Sequence, residues 1–380
     1  MGGVNNSLLM KETNRQELLY LIRERPQSRA DLARATGLSR AAVTLIVDGL
    51  IKEGLVIEGN AVKSETGRRP TILNVNPEAY IAVGVDISRE GCQLTFSDFA
   101  SNVLYENTVP ICDDADTTVK YICDSIQAAL HERFFERRLL GVGVCCPGPI
   151  DSDAGVILNP PGLEVFNGYN IRSIMESRLS LPVYLEKDTN ALAIAEKNKA
   201  HLDSDFLFLL TDHGVGCGVI KNGKLFCSKG GMGCEIGHVT LKIDGERCRC
   251  GNVGCAELYA SIPAMLNKAS EIFGKRIDWH TIIELAELSD ERATAILNEY
   301  AALLSVVCTG AVNLFEPEYI VLGGELKHAA KLIKHKVEER INMSSLSRAA
   351  REVKVICSSL GENTRAHAAS ELVIEKYFGG

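Results

Sequence analysis

Apolar residues recur at helical spacing three times within the first 50 residues of the chain. The first run extends from Asn14 to Arg25 and is ended by Pro26, which cannot continue a helix. The second run covers Arg29 to Thr36, and Gly37 supplies the turn after it. Ser39 is placed to cap the third run, whose apolar positions again share one face. The pattern predicts three short helices joined by tight turns.

Two short strands are predicted after the third helix. Leu55 to Glu58 and Thr71 to Val75 are rich in aliphatic residues, and the polar stretch between them contains Gly67-Arg68-Arg69-Pro70. Two helices joined by a tight turn and followed by a two-stranded wing form an arrangement that places the second helix in the major groove of DNA. We therefore predict a winged helix-turn-helix DNA-binding domain over residues 1–75.

The predicted DNA contacts come from the start of the third helix and from the wing. Arginine can pair with guanine and alanine can touch thymine methyls in the major groove, whereas wing arginines suit phosphates or a narrow minor groove. The candidate residues are Ser39, Arg40, Ala41, Ala42, Thr44, Arg68 and Arg69. The alternative is a helical protein-interaction module with an arginine-rich loop.

Beyond this head, buried-strand patterns alternate with amphipathic helical patterns. Ile81 to Val85 and Leu140 to Cys145 have the composition of buried strands, and Val119 to Phe134 between them has helical spacing. Such alternation predicts a mixed α/β fold in which helices cover the sheets. Two blocks of this kind predict two lobes, over residues 76–190 and 191–380.

The motif with the clearest chemistry is Cys248-Arg-Cys250-Gly-Asn-Val-Gly-Cys255. Three thiolates so close together can occupy three corners of a tetrahedron, and His238 can supply the fourth ligand. A Cys₃His set is typical of a closed, structural zinc site. Zinc on one ring nitrogen of His238 would leave the other nitrogen rigidly aimed at a ligand. The alternative is a chance spacing in a chain with 13 cysteines.

Carboxylates stand close to this motif in the sequence. Glu235 is three residues before His238, Glu257 is two residues after Cys255, and Asp188 follows a predicted strand. Carboxylate, amide and imidazole groups suit polyols, because each hydroxyl is both donor and acceptor. Taken singly, each carboxylate is better explained as a surface charge or a helix cap. Their position beside the metal motif is what predicts a sugar site.

Composition and charge are consistent with a regulator that binds DNA inside the cell. Hydrophobic residues make up 46% and charged residues 24%, and the N-terminus lacks a signal-peptide pattern. No apolar run reaches the length of a membrane span, so we expect a cytoplasmic protein with reduced cysteines. The net charge is −8, yet residues 1–75 carry 11 basic against 8 acidic residues. The head is therefore basic and the body acidic, which favours a nucleic-acid partner for the head.

The spacing Glu235-Ile-Gly-His238 followed by Cys-x-Cys-Gly-x-x-Gly-Cys-x-Glu, up to Glu257, resembles the signature of the ROK family of repressors and sugar kinases. The resemblance covers nearly the whole chain, including the Gly-Arg-Arg-Pro wing, Asn159-Pro-Pro-Gly and Ile320-Val-Leu-Gly-Gly324. It implies an actin-like, two-lobed ATPase fold, a sugar site in a cleft, dimerisation through the body and a sugar-controlled operator.

The resemblance also implies roles for single residues. The family's zinc ligands fall on His238, Cys248, Cys250 and Cys255. Its sugar contacts fall on Asn159, Asp188, Glu235, His238 and Glu257, and Lys187 is a further candidate. Asp188 also matches the base that takes a proton from the attacking sugar hydroxyl in family kinases.

Two departures from the kinase pattern predict that ATP is not bound. Family kinases carry an Asp-x-Gly-Gly-Thr phosphate loop where this chain has Asp86-Ile-Ser-Arg-Glu-Gly91, and Gly-Thr-Gly-x-Gly where it has Asp212-His-Gly-Val-Gly216. A carboxylate about 4 Å from a phosphate costs on the order of 4 kcal/mol at an effective dielectric constant near 20. Lys187 stands where kinases commonly carry Asn, and either contacts the ligand or pairs with Asp188.

These observations favour a sugar-responsive transcriptional repressor with structural zinc, a vestigial base at Asp188 and no kinase activity. The partners expected are operator DNA, a sugar or sugar derivative and a second copy of the chain, as a dimer or a tetramer. The first alternative is an active ATP-dependent hexose kinase carrying a DNA-binding head. The second is a regulator that answers to a protein partner.

Overall fold

A computed structural model of the protein describes residues 3–59, 71–226, 229–361 and 364–378. Its contacts divide the chain into two units. Unit 1 contains the described parts of Met1–Cys145, Ile171–Leu185 and Ala366–Gly380, and unit 2 contains those of Cys146–Asn170 and Glu186–Arg365.

The head lies in unit 1 and forms three helices and two strands close to the predicted ones. Its first helix begins at Gly3 instead of Asn14, and one further short strand was not predicted. Its elements are α1 (Gly3–Glu24), β1 (Gln27–Ser28), α2 (Arg29–Thr36), α3 (Arg40–Lys52), β2 (Val56–Glu58) and β3 (Ile72–Val75). The Ser28 and Asp31 side chains form a capping box at the start of α2, and Gly37 ends this helix with a φ of 71°. The Arg29 guanidinium pairs with Asp48 of α3 and Glu58 of β2, so it joins all three elements.

The body part of unit 1 is built on a five-stranded sheet with the order β11-β7-β4-β5-β6. Its strands are β4 (Ile81–Ser88), β5 (Gly91–Asp98), β6 (Val103–Val109), β7 (Leu139–Cys146) and β11 (Val183–Lys187), and its helices are α4 (Ala115–Arg133), α5 (Ile171–Leu179) and α12 (Arg365–Tyr377). β5 pairs antiparallel with β4 and β6, whereas β4 and β7 are parallel.

The last helix, α12, packs against this sheet, although we predicted residues 191–380 as a separate lobe. The close approach depends on glycines, because a Cβ on Gly84 or Gly143 would lie 1.8 Å from the Ala366 or Ala369 carbonyl oxygen. The helix offers small residues on that face, and the Ser370 hydroxyl hydrogen-bonds the Ser97 hydroxyl at 2.8 Å. The close packing of α12 on the sheet therefore depends on the glycines of β4 and β7 together with the small residues of the helix.

Unit 2 contains a second five-stranded sheet, in the order β14-β13-β12-β15-β16. Its strands are β12 (Phe206–Thr211), β13 (Val215–Lys221), β14 (Lys224–Leu225), β15 (Tyr319–Gly323) and β16 (Lys354–Cys357), and β8 (Ile150–Asp151), β9 (Val156–Ile157) and β10 (Tyr169–Asn170) form a small sheet of their own. The helices are α6 (Asp188–Ala200), α7 (Glu257–Ala260), α8 (Ile262–Phe273), α9 (Trp279–Glu287), α10 (Glu291–Phe315) and α11 (Leu326–Ser344).

The two large sheets share one plan. In each, an antiparallel hairpin is extended on one side by strands that return after a helix, as the parallel pairing of β12 with β15 and of β15 with β16 illustrates. This repeated plan is the mixed α/β architecture that the alternating pattern predicts.

α10 is long and apolar enough to cross a membrane by length and composition. Within the described residues it is the single helix of this kind, and 56% of its most apolar window is buried inside the protein. Its buried residues, among them Ile296, Tyr300 and Leu304, belong to the core of unit 2. The burial explains its apolar composition, since core helices of globular proteins pass the same test.

Candidate functional site

α3 presents its N-terminal end to solvent as predicted. The Ser39 hydroxyl accepts a hydrogen bond from the Ala42 amide at 3.2 Å and so caps the helix. Ser39, Arg40, Ala41 and Thr44 are exposed, and Ala42 is half-buried. The opposite face is held by buried side chains, namely Val43, Val47 and Leu50. Arg68 and Arg69 lie outside the described residues.

Leu45 belongs to the exposed face of α3, and the sequence analysis missed it. Its side chain is 70% exposed, although it stands inside an apolar run. The helical spacing carries the signal, because Leu45 lies four residues after Ala41 and next to Thr44, both on the exposed face. An apolar side chain there can contact thymine methyls in the major groove.

The four predicted metal ligands come together in unit 2. One ligand atom from each of His238, Cys248, Cys250 and Cys255 lies within 4.8 Å of all the others. The His238 Nδ1 is 3.7 Å from the Cys248 Sγ, and the Cys250 and Cys255 Sγ atoms are 3.6 Å apart. A tetrahedral ion with metal–sulfur bonds of about 2.3 Å needs sulfur atoms roughly 3.8 Å apart. The residues therefore fit a metal ion, and Nε2 is the nitrogen of His238 left for a ligand.

The backbone of the metal loop, defined here as Cys248–Cys255, is fixed by its own hydrogen bonds. The Cys248 amide donates to the Asn252 carbonyl at 2.8 Å, and the Gly254 carbonyl accepts from the Leu241 amide at 2.7 Å. Gly254 has a φ of 70°, and a Cβ there would lie 1.6 Å from the Lys242 carbonyl oxygen. Glycine is required at this position for both reasons.

Without a cation, the pKa values of two thiols in this loop are shifted in opposite directions. Burial, reinforced by the neighbouring Cys250 and Cys248 thiols, raises the pKa of Cys255 to about 12. The Asn252 backbone amide, followed by the neighbouring thiols, lowers the pKa of Cys250. The Cys255 thiol would therefore stay protonated at neutral pH unless a positive ion stabilised its thiolate.

Two of the predicted sugar residues are joined by an ion pair. Lys187 is only 3% exposed, and its Nζ donates to the Glu235 Oε1 at 2.9 Å and to the Gly233 carbonyl at 2.7 Å. Lys187 thus pairs with Glu235, and its charge also acts on Asp188, whose pKa it lowers against the larger, opposing effect of burial. The Glu235 backbone also contacts the predicted metal ligand His238, because the His238 amide donates a hydrogen bond to the Glu235 carbonyl at 3.1 Å.

Glu257 contacts the stretch that aligns with the second phosphate loop of family kinases. Its Oε2 accepts a hydrogen bond from the Val215 amide at 3.3 Å, and a Cβ on Gly214 would lie 2.5 Å from that oxygen. This amide is of the kind that holds phosphate in such a loop, and here a carboxylate of the same chain accepts from it. Asn159, by contrast, is exposed in the segment that follows β9.

Asp188, Asp212 and Arg365 form a carboxylate–arginine cluster in unit 2. The Arg365 Nη2 pairs with the Asp212 Oδ2, and its Nε lies 3.9 Å from the Asp188 Oδ2. The second Asp212 oxygen accepts from the Glu325 amide at 2.8 Å, at the start of α11. Burial raises the pKa of Asp188, against the opposing effect of Arg365. The sequence analysis missed Arg365, because no local spacing relates it to the two aspartates.

The segment that aligns with the first phosphate loop is a tight hairpin turn in unit 1. Ser88 of β4 faces Gly91 of β5, so two residues connect the strands. The Ser88 hydroxyl donates to the Gly91 carbonyl at 3.0 Å, and Asp86 is buried. This turn has Ser88 and Arg89 where the kinase loop Asp-x-Gly-Gly-Thr has its paired glycines.

Comparison with known proteins defines the class. A profile of the ROK family matches residues 82–376, and the chain belongs to this family. It is 28% identical to the xylose repressor of Bacillus spizizenii over 98% of this chain and 96% of that protein. It is 30% identical to the DNA-binding transcriptional dual regulator NagC of Escherichia coli over 94% of this chain and 91% of that protein.

Solved structures give the same result for the fold. A ROK family transcriptional regulator, a homologue of the E. coli MLC protein, superposes with a TM-score of 0.83 at 23% identity and covers 97% of both chains. The ROK hexokinase of Thermus thermophilus superposes with a TM-score of 0.66 at 25% identity and covers 79% of this chain and all of its own. The fold class is confirmed, and similarity over the full length is to sugar-responsive repressors of the family.

Proposed function

We propose that this chain is a sugar-responsive transcriptional repressor in which unit 2 binds the sugar, zinc orders the pocket and no phosphoryl transfer takes place. The observation that carries this proposal is the carboxylate–arginine cluster. A nucleotide phosphate near the start of α11 would need the Glu325 amide and the Arg365 guanidinium as donors. Both already donate to Asp212.

The cluster opposes the binding of a nucleotide phosphate. A phosphate brought near Asp212 meets like charge, which costs on the order of 4 kcal/mol at about 4 Å and an effective dielectric constant near 20. The side chains of Ser88 and Arg89, which stand where the kinase loop Asp-x-Gly-Gly-Thr has its paired glycines, support the same conclusion.

The sugar pocket is proposed to use Asn159, Asp188, Glu235, His238 and Glu257, with Lys187 holding Glu235. Zinc on the Nδ1 side of His238 would fix the ring, so that Nε2 is aimed at a hydroxyl. Lys187 neutralises one Glu235 oxygen and leaves the partly exposed remainder of that carboxylate for a ligand. The names of two kinds of relative, the xylose repressor and the N-acetylglucosamine repressor of Escherichia coli, support a monosaccharide ligand.

α12 is the proposed connection between the pocket and the head. The helix begins at Arg365, which belongs to the carboxylate–arginine cluster. Further along, Glu371 and Glu375 accept from Arg23 of α1 at 2.8 and 2.7 Å, and Phe378 lies under the same guanidinium at 4.8 Å. Arg23 is 9% exposed, so these pairs are protected from solvent. A sugar that moves Arg365 would shift one end of a helix whose other end holds the head.

The head is proposed to bind operator DNA through Ser39, Arg40, Ala41, Ala42 and Thr44, with Arg68 and Arg69 of the wing. A dimer would place two α3 helices roughly 34–36 Å apart on a palindromic operator, and a tetramer is the alternative. Arg40→Ala should weaken operator binding by about 1–3 kcal/mol. Arg276→Ala, an exposed arginine of unit 2, is the matched control, and equal losses in both variants would argue against α3 as the recognition helix.

Reciprocal titration tests the proposal as a whole. Duplexes that bind the protein are first selected from a random pool, and a panel of pentoses, hexoses and N-acetylhexosamines is then titrated with and without DNA. Linkage requires that sugar and operator change each other's affinity by the same factor. The proposal is wrong if a bound sugar leaves operator affinity unchanged. We also propose that the protein is located in the cytoplasm, because DNA is present there and cysteine thiols are kept reduced.

A further inference from the structure

A second cluster of metal-ligating side chains lies in unit 2, apart from the metal loop. His280 is in the first turn of α9, Glu325 immediately precedes α11, and His328 is in the first turn of α11. One ligand atom from each residue lies within 4.8 Å of the other two. We propose that these three side chains form a second metal site, for a divalent transition-metal ion such as zinc, nickel or cobalt.

The backbone around this cluster is held in place by a buried anchor. The Trp279 Nε1 donates to the Glu325 carbonyl at 3.0 Å, so the first turn of α9 is tied to the start of α11. Trp279 is buried and packs edge-on against Tyr300, with ring centroids 5.5 Å apart. The Asp278 side chain caps α9 by accepting from the Thr281 amide at 2.8 Å. Two of the three ligands therefore have fixed backbones before any ion binds.

The side chains need only a small adjustment to bind an ion. The His280 Nε2 and the Glu325 Oε2 are 3.8 Å apart, and the two imidazole rings lie with centroids 5.0 Å apart. Metal bonds of roughly 2.0–2.2 Å to nitrogen and oxygen require donor atoms about 3.0–3.5 Å apart. Because the three ligand atoms already lie within 4.8 Å of one another, each pair must approach by less than about 2 Å. The His280 side chain is exposed, and a change of its rotamer can supply this movement.

The donor set decides which ions are expected. Two imidazoles with one carboxylate suit borderline ions such as Zn²⁺, Ni²⁺ and Co²⁺, whereas Ca²⁺ and Mg²⁺ prefer all-oxygen sites. Three ligands on one side of the ion leave coordination positions open for water. The site is therefore of a different type from the metal loop, where four protein ligands close the shell.

Glu325 connects this site with the carboxylate–arginine cluster. Its backbone amide donates to the Asp212 Oδ1 at 2.8 Å, while its carboxylate faces His280. An ion bound to the carboxylate would hold the same residue that positions Asp212. This second site does not depend on the identity of the sugar or on DNA binding.

Cobalt titration of the full-length chain, prepared without a polyhistidine tag, tests the proposal. Thiolate ligands give intense sulfur-to-cobalt charge-transfer absorption, whereas histidine and carboxylate ligands give weak d–d bands alone. We expect two Co²⁺ ions per chain, the second binding without added charge-transfer absorption. His280→Gln and His328→Gln should each bind one ion and keep the thiolate spectrum.

His335→Gln is the matched control, because His335 is an exposed histidine on the same helix α11. This variant should bind two ions. The proposal is overturned if the unaltered chain saturates at one ion, or if the second ion persists in His280→Gln. His280 is exposed, so its variant should fold normally, which circular dichroism and a thermal melt would establish whatever happens to His328→Gln.

Discussion

The metal loop and the carboxylate–arginine cluster lie in the same unit, yet they are built in opposite ways. The metal loop and its histidine come from residues 238–255, and their glycines and spacing show the geometry directly. The cluster joins residues 188, 212 and 365, which only the tertiary fold brings together. The first arrangement is suited to holding an ion, whereas the carboxylates of the second are compensated by an arginine of the same chain. An arrangement of the first kind is visible in the sequence, and one of the second kind is visible only in the fold.

The largest expected effect comes from breaking the metal loop. Cys248→Ser should remove the bound ion and lower the free energy of unfolding by on the order of 5 kcal/mol, because metal binding contributes directly to folding. Zinc content by mass spectrometry and a denaturant titration measure the two results. Cys357→Ser, at an exposed cysteine on β16, should change neither quantity. Full zinc content and unchanged stability in Cys248→Ser would exclude the metal role.

The link between α12 and the head should be nearly as sensitive. Arg23→Met removes the guanidinium that pairs with the buried Glu371 and the half-buried Glu375, which should cost about 3–5 kcal/mol. If α12 carries the signal, the folded variant should also lose its sugar response while still binding sugar. Calorimetry for sugar and fluorescence anisotropy for operator DNA separate the two effects. A normal sugar response in a folded Arg23→Met protein would show that these ion pairs do not transmit sugar binding to the head.

A smaller loss is expected inside the cluster. Arg365→Met removes one charged partner from Asp212 and Asp188, which are not fully buried, and should cost about 1–3 kcal/mol. Asp212→Asn in the same chain should recover part of that loss, since it removes the unpaired charge. A double-mutant cycle on the free energy of unfolding gives the coupling. Strictly additive effects would mean that the pair is not energetically linked.

The smallest effect concerns Asp188 and depends on pH. Burial raises the pKa of this carboxyl, so the folded state pays to ionise it once the pH exceeds the ordinary pKa of aspartate. Asp188→Asn should therefore raise the free energy of unfolding at neutral pH. The advantage should shrink as the pH falls through the raised pKa and vanish below the ordinary one. Asp203→Asn, at an exposed aspartate, should show no such trend, and a less stable Asp188→Asn at pH 7 would contradict the assignment.

The sequence predicted the structural features that depend on residues close together along the chain. The bounds of α2, the Ser39 cap and the four metal ligands all follow from local spacing. It did not predict that α12 packs in unit 1, because that contact depends on glycines in two distant strands. Arg365 was missed for the same reason. Leu45 was missed because the predicted DNA contacts of α3 were chosen among its polar and small residues, although helical spacing places Leu45 on the same exposed face.

The most direct test of the account is calorimetry of sugars and ATP–Mg²⁺ on the same zinc-loaded protein, followed by an assay for phosphorylated sugar. We predict that one or more monosaccharides bind, that ATP–Mg²⁺ gives no binding heat and that no sugar phosphate forms. Saturable ATP binding, with sugar phosphate whose formation is abolished in Asp188→Asn, would contradict the claim that this member of the family uses its pocket for regulation alone.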